Sequence, residues 1–264
     1  MKQIKRLAFL FFAGCAISAS AQTWYFGSHA GISFSGGTTA PASGSALVAN
    51  EGTSVLVDAS NNVMMYSDGI NVWNGNHVLQ LTGLLGESST TQAVQIVPIP
   101  SSSPKKAFVF TLSAAETCYG NDHAYAESGL RVSIATITGT APATTITIAA
   151  TEKNIRITDG YNLMSEKMAV TSDGRGGYWL VVHGIGAYSS NPYIGWGSGS
   201  YSAADETSFY AFNITCSTST IPALAATKKN RTSLTPPFRH AGPGIIHQPV
   251  QTVAATFNST GPAR

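Results

Sequence analysis

The chain has 264 residues, 43% of them hydrophobic and only 11% charged, with 15 Lys and Arg against 13 Asp and Glu. Soluble domains average about 25% charged residues, so charge is scarce here, which excludes a nucleic-acid binder that works by phosphate neutralisation. The helix-rich composition of a coiled coil or bundle is missing, and a 9% aromatic content excludes general disorder.

At the N-terminus, Lys2, Lys5 and Arg6 precede an apolar run from Leu7 to Ile17, followed by Ser18-Ala19-Ser20-Ala21. A basic n-region, a short apolar region and an A-x-A-like site predict a signal peptide over 1–21. The run is too short to cross a bilayer, which takes about 20 residues. Removing Lys2, Lys5 and Arg6 leaves 12 basic against 13 acidic residues, so the small positive charge belongs to the leader. A rival reading makes Cys15 a lipidated N-terminus, but Phe12 stands where such a motif carries Leu. Export leaves Cys118 and Cys216, 98 positions apart. They either pair in an oxidising compartment or stay as separate buried thiols, and neither belongs to a Cys-x-x-Cys motif.

Short runs of Val, Ile, Thr, Tyr and Phe then recur between Gly, Asn, Asp, Ser and Pro clusters, the pattern of an all-β chain. One group covers 54–57, 63–66, 70–73 and 78–81. It is joined by Ser60-Asn61-Asn62, Ser67-Asp68-Gly69 and Asn74-Gly75-Asn76, turns suited to an antiparallel meander. A second group covers 93–99, 107–112, 130–138 and 144–149, with a loop inserted at 117–128. A third covers 168–171, 178–183, 209–215 and a fourth strand at 221–225, with a loop at 188–207. Repeated four-stranded meanders predict the blades of a β-propeller. The clearest textual echoes are Ser67-Asp68-Gly69 with Trp73 and Ser172-Asp173-Gly174 with Trp179. Trp24, Trp73 and Trp179 are expected to pack between blades.

Ordered motifs run through the same stretch. They begin with Trp24-Tyr25-Phe26-Gly27, Ala30-Gly31-Ile32-Ser33-Phe34 and Glu51-Gly52-Thr53. Tyr66-Ser67-Asp68-Gly69-Ile70-Asn71-Val72-Trp73-Asn74, His77 and the segment from Gly83 to Gln92 follow. Ile96-Val97-Pro98, Gly129-Leu130-Arg131-Val132-Ser133, Glu152-Lys153 and the segment from Gly177 to Gly184 complete the set. Together, over about residues 24–215, they resemble the N-terminal propeller region of surface proteins of Gram-negative gliding bacteria that carry a type IX secretion, type B sorting domain. The resemblance implies export, display at the cell surface and a role in binding or adhesion. It carries no catalytic residues. Such a propeller takes around seven blades of about 40–50 residues, and a chain of this length holds about five, so an incomplete propeller is expected over 22–227.

The tail differs from what precedes it. All 13 acidic residues precede Thr207, and from Lys228 the strand pattern gives way to Pro236, Pro237, Pro243, Pro249 and Pro262. Residues 228–264 are read as a Pro-rich, acid-free tail, either flexible or the product of a truncated or frameshifted gene.

Candidate chemistry is sparse. His29, His77, His123, His183, His240 and His247 lack metal-ligand spacing such as His-x-x-x-His and are expected to satisfy turns or the core. The segment from Gly86 to Thr91 contains no Gly-x-Ser-x-Gly, and the Gly-rich run from Gly195 to Ser200 lacks the Lys of a phosphate loop. Asp68, Gly69, Asp173 and Gly174 are structural turn residues by their Ser-Asp-Gly context, and the segment from Ser172 to Trp179 also resembles the Asp-box turn of sialidase propellers. The inserted loops are the binding candidates: Tyr119, His123 and Tyr125 on one, Tyr188, Tyr193, Trp196 and Tyr201 on the other. Aromatics on loops over a rigid scaffold suit sugar stacking or protein contact. The expectation is a non-enzymatic secreted or cell-surface module for an unknown protein or glycan, with no cofactor, metal, nucleic acid or transmembrane segment. The alternative is a carbohydrate-active hydrolase using two of Asp68, Asp173 and Glu87 as paired acids.

Overall fold

The computed structural model describes residues 22–35, 37–100, 102–113, 129–157, 162–187, 208–214 and 227–230. They form an all-β structure of four antiparallel sheets with one 3-10 turn, Ala150–Glu152. The first sheet is β1 (Gln22–Phe26), β2 (Ala30–Ser35) and β3 (Thr38–Pro41). The second is the meander β4 (Ser54–Val57), β5 (Val63–Ser67), β6 (Val72–Asn74) and β7 (Leu79–Leu81). The third runs β8 (Val94–Ile99), β9 (Lys105–Leu112), β10 (Leu130–Thr138) and β11 (Thr145–Thr147), with β12 (Ile155–Arg156) also on β10. The fourth is β13 (Asn162–Ser172), β14 (Tyr178–Ala187), β15 (Ser208–Ile214) and β16 (Thr227–Asn230).

These sheets stack face to face in chain order. In the third sheet Val97, Ile99, Phe108, Phe110, Leu112, Leu130, Val132 and Ile134 meet Met168, Val170, Leu180, Val182, Tyr210, Phe212 and Ile214 of the fourth. The opposite face of the third sheet carries Ile96, Ala107, Val109, Ala135 and Ile137. It meets Leu56, Met64, Met65 and Val72 of the second sheet. Side chains alternate between faces along each strand, so a strand buried on both faces must be apolar at nearly every position. The run Ala107–Phe110 of β9 accordingly lacks the hydrophobic-polar alternation of a half-exposed sheet, whereas β10 alternates over Leu130-Arg131-Val132-Ser133-Ile134 with Arg131 and Ser133 buried. A third cluster joins Tyr25 of β1 and Leu47 to Val55, Val57, Tyr66 and Trp73.

The central sheet is also uneven by design of its sequence: β9 turns Phe108 and Phe110 toward the fourth sheet and Ala107 and Val109 toward the second. β10 is long enough to serve two partners. β11 pairs along Thr136–Thr138 and β12 along Arg131 and Val132. Asn154, at φ +56°, lets the chain turn back between them. Its backbone N–H donates to Ser133 Oγ, its Oδ1 accepts from Leu85 N–H and its Nδ2 donates to the Gly83 carbonyl, tying the second sheet's last loop to the third sheet. Lys153 Nζ reaches the Thr82 carbonyl at 2.8 Å, and Glu152 pairs with Lys106 at 3.6 Å.

Several expectations are corrected. The strand expected at 70–73 begins only at Val72, because the Asp68 carboxylate bonds the backbone of Ile70 and Asn71 into a turn. The partner of β15 is β16 at Thr227–Asn230, which crosses the expected tail boundary at 228; 221–225 lie outside the described residues. Trp73 is buried and stacks on its cross-strand neighbour Tyr66, with ring centroids 5.3 Å apart. Trp24 instead packs on Phe34 of its own sheet at 4.9 Å, and Trp179 is 38% exposed on the outer face of the fourth sheet. Apart from the strand that carries Trp24, the first sheet and β12 were not anticipated as strands.

Phe110→Ala is expected to cost about 3–5 kcal/mol of unfolding free energy, and Trp179→Ala far less, as measured by urea titration of the two variants side by side.

Candidate functional site

The first strands of the last three sheets run in one direction side by side. Gly52 N–H donates to the Thr90 carbonyl and Ile96 N–H to Ser54 Oγ, aligning β4 with β8. Gln92 N–H donates to the Glu166 carbonyl, and Met168 N–H to Gln92 Oε1, aligning β8 with β13. In an antiparallel meander the connection between second and third strands returns to the end where the first strand begins. Residues 68–71, 113–129 and 188–207 are these connections, so all three are rooted at one end of the stack, here termed the entry end. Leu112 opposite Leu130 and Asn162 opposite Ala187 mark the roots of the two long connections.

The short connection shows how the entry end is built. Asp68 is buried, and its Oδ1 accepts from the backbone N–H of Ile70 at 2.8 Å and of Asn71 at 2.7 Å. Its Oδ2 accepts from Asn71 Nδ2 at 3.0 Å. Gly69 has φ +92°, a left-handed value that glycine adopts without cost, and a Cβ there would press on Ala93 at 3.1 Å. Ser67 Oγ accepts from Gly69 N–H. The carboxylate is therefore spent on its own turn.

Beside it, Glu166 Oε2 accepts from both the backbone N–H and the hydroxyl of Thr91 at 3.0 Å. This pins the 86–93 segment, which precedes β8, to β13. Glu87 lies in that segment, 3.5 Å from the hydroxyl of Ser89. Glu166 was not singled out in the sequence; its only signal there is a lone acid inside the Met-rich run Met164-Ser165-Glu166-Lys167-Met168.

A second cluster lies where the first sheet meets the second. Tyr25 and Tyr66 meet edge-to-face at 4.9 Å, and the His77 ring approaches both, at 5.6 and 5.8 Å. Ala46 N–H donates to the Tyr66 hydroxyl, which lies 3.2 Å from His77 Nδ1. Burial pushes the His77 pKa below the ordinary 6.5 and raises both tyrosines. His77 and His29 both hold left-handed backbone, φ +64° and +59°, and His29 Nδ1 lies 2.7 Å from the Ser45 carbonyl. Both histidines serve turns and packing. His183 falls within β14, while His123, His240 and His247 lie outside the described residues.

Asp173 sits in the β13–β14 turn, at the end opposite Asp68 and on a different sheet. Its Oδ1 accepts from the N–H of Arg175 at 2.7 Å and of Gly177 at 2.9 Å, which holds its pKa below the usual carboxylate value. A Cβ on Gly177 would meet the Ile214 carbonyl at 2.6 Å and Asp173 Oδ2 at 2.7 Å, so only glycine fits. Gly174, at φ +71°, completes the turn. Asp68 and Asp173 do not converge on one pocket.

The expected binding residues Tyr119, His123, Tyr125, Tyr188, Tyr193, Trp196 and Tyr201 lie outside the described residues, as do Cys15, Cys118 and Cys216. Among the described residues no group of three His, Cys, Asp or Glu side chains could hold a metal ion, and no helix is long and apolar enough to cross a membrane. No family model, curated protein or solved structure matches the chain.

Two outcomes follow from this geometry. Asp68→Ala strands three buried or half-buried donors and is expected to cost about 1–3 kcal/mol in urea unfolding, while Asp173→Ala, on an open turn, costs less. His77 binds its proton more weakly folded than unfolded, so its contribution to stability is complete above the unfolded value of 6.5 and is lost as pH falls through the lower folded value. Melting temperature should therefore drop on acidification below that point. His77→Asn, neutral and tolerant of left-handed backbone, should flatten that part of the profile.

Proposed function

We propose that the chain is a non-enzymatic binding module built on the blades of a β-propeller, displayed outside the cell and engaging a protein or glycan at its entry end. Three things support the propeller: sheets that follow one another as antiparallel meanders, stack face to face in chain order, and set their first strands side by side. The motif resemblance between residues 24 and 215 points the same way and supports export and surface display, as does the N-terminal leader pattern.

One observation carries the binding reading. The two long connections, 113–129 and 188–207, are rooted at the same end of adjacent sheets. The seven Tyr, Trp and His residues expected to bind fall in the sequence between these roots, and loops on a rigid scaffold are where recognition usually resides. Asp68 and Asp173, two of the acids that a hydrolase would pair, are instead committed to turns at opposite ends.

The test is an array of glycans and surface proteins probed with the mature chain and with Trp196→Ala, folding of both being confirmed by circular dichroism. The variant should lose at least about tenfold in affinity for whatever the mature chain binds; unchanged binding would remove the loop from the function.

A further inference from the structure

Among the described residues the stack of sheets is uncovered at both ends, and both end faces are apolar. Tyr25 turns toward the second sheet, so its neighbours Trp24 and Phe26 face the other way. The register of the first sheet places Ile32, Phe34 and Pro41 on that same outer face. Phe26 is 46% exposed there, and a hollow of about 230 Å³ opens among Phe26, Ile32, Thr39 and Pro41. No Asp, Glu, Lys or Arg occurs between Gln22 and Asn50. An antiparallel sheet with a solvated face normally turns polar residues outward; this one turns aromatic rings outward. At the far end, Leu180 and Val182 face the third sheet. That leaves Trp179 and Val181 on the outer face of the fourth, with Ala169, Thr171 and Ala211 beside them. Exposed apolar faces of this kind mark contact surfaces.

We propose that the two faces cover each other between two copies of this chain, the first sheet of each copy seated on the fourth sheet of the other. The occupant follows from the way the sheets already stack. The second sheet turns Val55, Tyr66 and Trp73 toward the first sheet and Leu56, Met65 and Val72 toward the third. Each inner sheet thus has one face for the sheet before it in the chain and one for the sheet after it. Among the described residues the first sheet has no predecessor and the fourth no successor. A head-to-tail contact therefore repeats the junction that the chain already makes between its own sheets. A first-to-first contact would set two predecessor faces together, a junction found nowhere in the stack. The fourth sheet also supplies an exposed indole and the first sheet a hollow. Contacts between unlike faces either close into a ring or grow into filaments. With four sheets in each copy, two copies bring twice four, within the four to eight blades that close a propeller. The closed ring rests on the propeller reading above.

The experiment is sedimentation velocity of the mature chain from micromolar to near-millimolar concentration, beside Phe26→Glu and Trp179→Lys variants whose folding is checked by circular dichroism. The unmodified chain is expected to be a dimer, and each variant to dissociate at least about tenfold more readily. An equimolar mixture of the two variants should dimerise more strongly than either alone. The mixed pair keeps one native contact and sets Glu against Lys in the other, a recovery that only a head-to-tail arrangement gives. A dimer that survives Trp179→Lys, or variants that gain nothing on mixing, overturns the proposal. A monomer throughout overturns the second copy as occupant and leaves the propeller reading standing. A series of ever larger oligomers reveals a contact that does not close, which overturns the ring and the propeller reading together. Should either variant fail to fold, Thr39→Glu or Thr171→Lys, at exposed positions of the same two faces, takes its place.

Discussion

Everything in this molecule depends on burying both faces of the sheet β8–β11. A sheet with one solvated face can leave polar residues at alternate positions to water; here the second and fourth sheets cover both faces, so polar residues such as Arg131 and Ser133 are bonded internally to Asn154. The consequence is a run such as Ala107-Phe108-Val109-Phe110, apolar throughout but sorted by size between faces. Large rings face one interface and small side chains the other. The two interfaces therefore differ in what fills them, which helps to fix the order of the sheets.

That burial explains the scarcity of charge. Strand positions are mostly apolar, and in the connections Ser, Thr, Asn and Asp act on the backbone. Asp58, Asp68 and Asp173 each accept two backbone N–H bonds within their own turns. Asn74 does the same through its Oδ1, while its Nδ2 spans to the Thr144 carbonyl of the next sheet. Few carboxylates are left over for chemistry among the described residues.

Much of the fold was legible from local pattern. The meander from residue 54 to 81, the span 130–138 and the turn roles of Asp68, Gly69, Asp173 and Gly174 agree with the structure, since turn chemistry and strand propensity act over a few residues. The misplaced features depend on neighbours remote in sequence. Trp179 has the same local setting as a core residue, but it lies on the face of the fourth sheet that no described sheet covers. The strand β16 carries Thr227-Lys228-Lys229-Asn230, a polar sequence with no strand signature, and is a strand because β15 offers it an unpaired edge. Glu166 could not be recognised as a staple until Thr91, 75 positions away, stood beside it.

By itself the sequence determined the all-β class, the antiparallel meanders and the turns, because periodicity of two and positive-φ turn residues are local constraints. It also placed the leader pattern and the aromatic connections along the chain. Only the tertiary structure decided which faces of each sheet are covered, which end each connection belongs to, and which polar side chains are consumed by the scaffold. Those depend on long-range packing, where a residue's role is set by what the opposing sheet brings against it. Asp68 and Asp173, which the sequence offers as candidate acids, hold turns at opposite ends of the stack.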